Sequence, residues 1–303
     1  HYLADAVRGF NTATNGSAKV LASNASDAEA ASETTQLTSF VSNGFTLGDN
    51  SDNTYFVNRN SHTYVAWNWK ANGSGSTDTS GDIDATVSAN QTAGFSIVNY
   101  VPNGTASATV PHGLGVAPEM VFYKRYNSSS QWFCWTTVID GSDDYLVLDS
   151  TDAAAAVSQA GGTSFTSSFI RATNYGASGS PEVVAYCFAS KPSFSKVGSY
   201  TGNGSADGPM VNTGFKPAWL MIKNTSNAQD WMIWDTKRNP FNEVTQFLYP
   251  NLSADEGAGS NVLDLVSNGF KLRNAGTRNR NYNGDVYLYM AFAESPFKTA
   301  NAR

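Results

Sequence analysis

The chain repeats itself at an interval of about 99 residues. Residues 95–104 read FSIVNYVPNG, and residues 194–204 read FSKVGSYTGNG. The same offset relates four further pairs, which are Pro118 and Pro217, Lys124 and Lys223, Trp132 and Trp231, and Trp135 and Trp234. Self-similarity at a fixed period indicates that structural units of one kind follow one another along the chain.

A third copy is recognisable from the other end of the unit. Residues 41–45 (VSNGF) recur unchanged as residues 266–270, and residues 21–29 (LASNASDAE) match residues 248–256 (LYPNLSADE). The first copy has no counterpart of residues 194–230, so we predict that it is truncated and that the intact protein extends further toward its N-terminus. The predicted organisation is a truncated first repeat (1–71), a linker (72–92), a second repeat (93–192), a third repeat (193–298) and a C-terminal tail (299–303).

Composition predicts an all-β fold. Charged residues make up 15% of the chain and aromatic residues 13%, while short apolar runs alternate with turn-forming Asn-Gly pairs. We expect tandem β-sandwich-like repeats, two full and one truncated. One short helix per repeat is also predicted, at 26–33, 151–159 and 253–256, because each segment begins with Ser or Thr and has acidic residues in its first turn.

Charge, hydropathy and cysteine content exclude several classes. The net charge of −6 comes without a basic stripe, so nucleic acid is not an expected partner. No apolar run reaches the length of a membrane span, so membrane insertion is not expected. Cys134 and Cys187 align with Ile233 and Ala291 of the third repeat. They are therefore expected to be buried free thiols rather than a disulfide.

No catalytic or metal motif is apparent, and we predict no enzyme activity, cofactor or metal. The three histidines are not spaced as metal ligands, and His112 is interpreted as a turn residue. The acidic loop 49–53 lacks the closing carboxylate of a calcium site. Asp143 and Asp144 could serve a glycosidase, but adjacent residues on an extended chain point in opposite directions.

The four repeated tryptophans have two possible roles. Flat amphipathic rings suit sugar stacking, but recurrence in both full repeats favours packing within or between the repeats. A ligand site is expected where the repeats differ, and the clearest difference is the long loop 273–285. Arg273, Arg278, Arg280 and Tyr282 in this loop are the predicted ligand-binding residues, because guanidinium groups bind acidic or hydroxyl-rich ligands through paired hydrogen bonds.

Several strings together resemble a repeated β module of tailed-phage proteins, found in tail fibres and other host-facing virion proteins of cyanophages and marine phages. They are residues 64–73 (YVAWNWKANG), 93–100 (AGFSIVNY), 112–118 (HGLGVAP), 198–208 (GSYTGNGSADG) and 266–270 (VSNGF). The resemblance covers essentially the whole chain. None of the strings is a catalytic signature.

The resemblance implies a virion structural protein, exposed on the particle, that binds a host receptor. It also implies a fibrous homo-oligomer. We expect a homotrimer, with Tyr287 and Tyr289 as candidate outward contacts between subunits. The expected partners are a host-surface glycan and other virion proteins, the latter through the N-terminal part. Two alternatives remain open. One is a purely architectural capsid or tail decoration protein, and the other is a depolymerase of surface polysaccharide.

Overall fold

The computed structural model describes residues 2–11, 17–30, 37–48, 57–157, 165–173 and 180–296. Within these ranges the chain forms strands and no helix, and hence no helix long and apolar enough to cross a membrane. The strands are β1 (Tyr2–Leu3), β2 (Phe10–Asn11), β3 (Ser17–Ala18), β4 (Leu21–Ala22), β5 (Leu37–Val41), β6 (Gly44–Leu47), β7 (Ser76–Asp78), β8 (Ala85–Asn90), β9 (Phe95–Tyr100), β10 (Thr109–Pro111), β11 (Met120–Arg125), β12 (Phe133–Thr136), β13 (Asp144–Val147), β14 (Ala155–Ala156), β15 (Phe169–Arg171), β16 (Val183–Phe188), β17 (Ser195–Thr201), β18 (Met210–Asn212), β19 (Pro217–Asn224), β20 (Met232–Asp235), β21 (Val244–Phe247), β22 (Gly257–Val266), β23 (Gly269–Leu272) and β24 (Val286–Ala293).

The strands form several antiparallel sheets, consistent with the β-sandwich class. The largest sheet has the order β14-β13-β12-β11-β16-β9-β8-β7, and β10 pairs with β15 beside it. Two four-stranded sheets follow, with the orders β17-β24-β19-β20 and β18-β23-β22-β21. In the first part of the chain β1 pairs with β4, β2 with β3, and β5 with β6.

The central strands are buried on both faces. In β19, Trp219 and Met221 point into a core shared along the whole chain, whereas Leu220 and Ile222 point into the core between the two four-stranded sheets. The strands β11, β16 and β24 alternate in the same way, because successive side chains of a strand lie on opposite faces. The large sheet and the sheet that contains β19 therefore each contribute one face to the central core and the other face to a separate core.

Tyr287 and Tyr289 differ from the sequence expectation of outward contact residues. Their side chains are buried between the two four-stranded sheets, against Tyr200 and Phe270. The face of β24 that carries them is covered by the second four-stranded sheet. These tyrosines contribute to the fold and are not available to a second subunit.

The prediction of one short helix per repeat is wrong for the described parts of the three segments. Residues 26–30, 151–157 and 253–256 contain no helix, and β14 lies within the second of these segments. In the first two segments, backbone groups are bound by other parts of the chain, which competes with helical pairing. The Ser26 carbonyl accepts from the N–H of Ser130 at 2.7 Å, and the Thr151 carbonyl accepts from the N–H of Gln229 at 2.8 Å.

The segment 72–92, assigned to a linker from its polar sequence, contains β7 and β8. Both strands extend the large sheet beyond β9, and Ala85 and Val87 bury their side chains in its core. A strand with one face in solvent needs few apolar residues. The composition of residues 72–92 therefore resembles that of a linker.

Candidate functional site

The loop 273–285 is held by hydrogen bonds from side chains beneath it. Asn224 Nδ2 donates to the carbonyl of Arg278 at 2.6 Å and to the carboxylate of Asp285 at 2.8 Å. The Tyr287 hydroxyl donates to the Arg278 carbonyl at 2.9 Å and accepts from the N–H of Tyr282 at 2.8 Å. The loop therefore has a defined backbone on a rigid base, as a binding loop requires.

Arg273 lies at the start of the loop and is already paired. Its Nε donates to the Asp264 carboxylate at 2.6 Å, and its Nη2 forms an ion pair with the same group. Both residues line a shallow depression of about 400 Å³ that also contains Glu243. Since two carboxylates surround one guanidinium there, the depression does not favour an acidic ligand.

Arg278 and Tyr282 form an exposed pair. The guanidinium carbon of Arg278 lies 4.1 Å from the centroid of the Tyr282 ring, and the Tyr282 side chain is 37% exposed. Stacking on the ring positions the guanidinium while its N–H groups remain available to solvent. This pair is the part of the predicted site that can meet an acidic or hydroxyl-rich ligand.

Arg280 does not join the other arginines at the surface. Its side chain is buried among Tyr200, Tyr249 and Tyr287, and burial lowers the pKa of the guanidinium. Nη1 contacts Met232 Sδ at 3.9 Å, and Nε has no hydrogen-bond partner among the described residues. The four predicted residues are thus divided into a paired arginine, an exposed pair and a buried arginine. This differs from the expectation of a single exposed cluster.

The repeated tryptophans are buried, which agrees with a packing role and leaves no face for sugar stacking. Trp135 belongs to the core on one face of the large sheet, and Trp234 belongs to the core between the two four-stranded sheets. Trp132 Nε1 donates to the Ala22 carbonyl at 2.8 Å, and Trp231 Nε1 donates to the Val147 carbonyl at 3.0 Å. The latter two bonds join parts of the chain that are far apart in sequence.

The repeated lysines make analogous contacts, which the sequence did not predict. Lys124 Nζ donates to the carbonyl of Ser26 at 2.9 Å, and Lys223 Nζ donates to the carbonyl of Thr151 at 3.1 Å. Both side chains are buried. Burial lowers the pKa of each lysine to about 8, since nearby aspartates only partly offset the loss of hydration. Only their recurrence at one offset could have drawn attention to them.

His112 and the two cysteines have structural environments. His112 Nε2 donates to the Thr166 carbonyl at 3.2 Å, and its Nδ1 accepts from the N–H of Leu114 at 3.2 Å, so it braces a turn as expected. Cys134 and Cys187 are buried free thiols, which confirms the prediction. Burial raises the pKa of both, that of Cys187 to about 12, which makes them poor nucleophiles.

The acidic residues form no metal cluster in the part of the chain that the structure describes. The loop 49–53 lies outside the described residues. Asp144 is buried at the start of β13, and burial, followed by the charges of Asp140 and Asp143, raises the pKa of its carboxyl group.

A second depression, of about 540 Å³, lies in the segment that was assigned to a linker. It is lined mainly by hydroxyl, amide and carboxylate side chains, among them Thr77, Asp78, Ser80 and Gln91. The Asp78 carboxylate accepts from the N–H of Ser80 at 3.0 Å and from its hydroxyl at 2.7 Å. The run of Ser, Thr and Asp in residues 76–82 was the only sequence signal for this surface.

The comparisons with known proteins bear on the family of the chain. The model of DUF7483, a domain of unknown function, matches residues 1–296. No curated protein and no solved structure matches the chain.

Proposed function

Since the chain belongs to the DUF7483 family, a domain of unknown function, we propose a role from its own architecture and surface. The protein is a non-enzymatic structural and adhesion protein of a tailed-phage particle. It is exposed on the virion and binds a host-surface glycan. The resemblance of its repeated strings to host-facing phage modules motivates the role, and the packing described below supports it.

The proposal includes tandem sandwich-like repeats, of which the first is truncated. The same strand order supports this organisation in the second and third repeats. β9, β16, β11 and β12 are neighbours in that order, as are β17, β24, β19 and β20. In addition, β10 pairs with β15 as β18 pairs with β23.

The observation that carries the structural role is the central core. Trp69, Phe188 and Phe292 end the last apolar segments of the first, second and third repeats, and their rings contact one another. Consecutive repeats are thereby packed around one common core. Such packing gives a rigid body whose loops keep fixed positions, which suits a passive structural and adhesive protein.

The exposed pair Arg278–Tyr282 is the proposed contact with an acidic saccharide. A guanidinium can donate two parallel hydrogen bonds to a carboxylate, and the tyrosine ring can cover an apolar sugar face. The loop departs from the second repeat in length, as a site specific to one ligand should. Arg280, being buried, supports this loop from within.

The proposal also includes a homotrimer and attachment to other virion proteins through the N-terminal part. Since Tyr287 and Tyr289 are buried, subunit contact must use other side chains. Phe241, 79% exposed, is a candidate because large apolar side chains at the surface often mark contacts between proteins. Light scattering tests this point, and a monomer at all concentrations would contradict the trimer.

The test of adhesion is binding of the purified protein to host cells and to a panel of acidic surface polysaccharides. Arg278→Ala should weaken binding about tenfold or more, since a charged hydrogen bond contributes roughly 1.5–3 kcal/mol. Arg273→Ala is the matched control and should have little effect, because Asp264 already neutralises that arginine. Unchanged binding by Arg278→Ala would place the site elsewhere. Release of new reducing ends would instead indicate a depolymerase, and absence of any binding would favour a purely architectural protein.

A further inference from the structure

The first repeat contains β1 in the place that β12 and β20 occupy in the other two. Three cross-strand pairs are equivalent by sequence alignment and by geometry, namely Leu3 with Leu21, Cys134 with Leu146, and Ile233 with Leu248. The ion pairs that follow β1 and β20 agree as well. Arg8 contacts Asp5 and Glu29 as Arg238 contacts Asp235 and Glu256.

Residues 63–71 occupy the place of β16 and β24. The ring centroid of Trp69 lies 6.4 Å from that of Phe188 and 5.4 Å from that of Phe292, and those of the two phenylalanines are 6.0 Å apart. Two residues earlier in each segment, Tyr186 hydrogen-bonds Arg8 and Trp67 lies 6.0 Å from the Arg238 guanidinium carbon. The first repeat thus contributes its last segment to the central core in the same orientation.

The strand that should lie between these two elements is missing from the described residues. β11 pairs with both β12 and β16, and β19 pairs with both β20 and β24. No described strand lies between β1 and residues 63–71, whose backbone groups make no hydrogen bond to another described backbone group. Tyr64 is 50% exposed at this edge. The Lys70 carbonyl accepts from Asn90 Nδ2 at 2.9 Å. A strand edge with no backbone partner among the described residues is a template for another strand.

The apolar side chains at this position are incompletely covered. Leu3, Val7, Trp67 and Trp69 pack against the central core but are only partly buried, and Trp67 Nε1 has no hydrogen-bond partner among the described residues. In the second and third repeats the equivalent face is covered by Met120 and Phe122 or by Trp219 and Met221. An apolar, alternating strand therefore fits the position.

The third repeat provides a carbonyl group that a lysine at the end of the missing strand could bind. Lys124 and Lys223, each at the end of the inserted strand, donate to the carbonyls of Ser26 and Thr151 in the preceding repeat. Ser253 is the aligned residue of the third repeat, and it is exposed. The N–H of Glu29 donates to the Tyr126 carbonyl, just after β11, and the Glu29 side chain is 12% exposed. The equivalent Glu256 side chain is 37% exposed. Within the described ranges, no segment covers this end of the third repeat.

We propose that the position between β1 and residues 63–71, with Ser253 at its polar end and here termed the open strand site, binds by strand addition an extended segment with the sequence pattern of β11 and β19. Residues 118–124 and 217–223 share the pattern of the occupant, which is Pro, any residue, four apolar residues and Lys. Such a segment pairs with β1 on one side and residues 63–71 on the other, and its lysine donates to the Ser253 carbonyl. The inference rests on the repeats proposed above and is independent of glycan binding.

The test uses the full chain and a synthetic peptide of residues 215–227 (FKPAWLMIKNTSN) carrying a fluorophore. Saturable binding is expected, with slower amide hydrogen exchange at residues 2–3 and 63–71. Lys223→Met in the peptide should weaken binding about tenfold through loss of one charged hydrogen bond. Ile222→Pro in the peptide should abolish binding, because proline cannot donate to the ladder.

Val65→Pro in the protein is the reciprocal variant. Val65 lies four residues before Trp69, as Val184 lies before Phe188, whose carbonyl accepts from the N–H of Glu119 beside β11. The change therefore removes a backbone donor from the edge that faces the open strand site. Unchanged unfolding with lost peptide binding is expected. Absence of saturable peptide binding to the unmodified protein would overturn the proposal. Protection from amide hydrogen exchange confined to β20 and β24 would also overturn it, because it would show that the peptide displaces β19. Protection of residues 63–71 by dimerisation without peptide would assign the site to a second copy instead. Glycan binding measured on the same samples separates this result from the test of adhesion.

Discussion

Trp69 and Phe292 meet edge to face, with ring centroids 5.4 Å apart and an angle of 68° between the ring planes. The two residues are 223 positions apart in sequence, and Phe188 completes the group. The contact joins the beginning, the middle and the end of the chain in one apolar core. The described units are therefore expected to unfold together rather than one after another.

Phe292→Ala tests this cooperativity. Removing a buried aromatic ring that contacts Trp69, Phe188, Phe194 and Trp219 should cost about 3–5 kcal/mol of unfolding free energy. A single transition at lower denaturant concentration is expected by both fluorescence and circular dichroism. Val101→Ala, at a side chain that is 49% exposed, is the control and should change stability by no more than about 0.5 kcal/mol. Two separate transitions in the unmodified protein would contradict the shared core.

Arg8 and Arg238 form the same contacts at different degrees of burial. The side chain of Arg8 is fully buried and lies 2.6 Å from Asp5 and 2.7 Å from Glu29. That of Arg238 is 13% exposed and lies 2.6 Å from Asp235 and 2.8 Å from Glu256. Arg8→Ala should cost about 3–5 kcal/mol because it leaves carboxylates buried without a partner, whereas Arg238→Ala should cost nearer 1 kcal/mol. Urea unfolding measures both, and equal losses would show that burial does not set the difference.

The buried lysines predict a rise of stability with pH. The pKa of Lys124 and of Lys223 is lowered to about 8 in the folded protein, against about 10.4 in the unfolded chain. Between these values the unfolded state binds more protons, so the free energy of unfolding increases as pH rises and the gain is lost as pH falls through 8. Thermal unfolding between about pH 7 and 8 measures it, below the range in which the thiols and tyrosines of the unfolded chain ionise. At higher pH, ionisation of Cys134 and Cys187 in the unfolded chain opposes the rise, because burial raises the pKa of both thiols in the folded protein. Lys124→Met and Lys223→Met together should flatten the profile, and an unchanged profile would assign the effect to other groups.

Arg280→Met separates the buried arginine from the binding loop. The guanidinium is desolvated, and no carboxylate bonds to it among the described residues. Replacing a buried charge by an apolar side chain of similar length should leave the unfolding free energy unchanged or raise it. Glycan binding should be retained, in contrast to Arg278→Ala. Loss of binding in a stable Arg280→Met protein would show that this guanidinium reaches the ligand.

Many of the local predictions needed only the sequence. The thiols of Cys134 and Cys187 were recognised as unpaired because the aligned Ile233 and Ala291 have no sulfur. Composition alone indicated an all-β fold. The absence of a disulfide and the all-β class depend on residue type and local pattern, and both can be read from the sequence.

The tertiary structure decided which side chains are free to act. Arg278 and Arg280 are two positions apart in one polar loop, yet one stacks on an exposed ring and the other is buried among tyrosines. The helix expected at 151–159 is replaced over residues 151–157 by extended chain, because Lys223 and Gln229, distant in sequence, bind the Thr151 carbonyl. Tyr287 and Tyr289 of β24 were expected to contact other subunits, but the second four-stranded sheet covers them. Burial and long-range hydrogen bonds depend on which segments meet in space, and a local pattern carries no information about its distant neighbours.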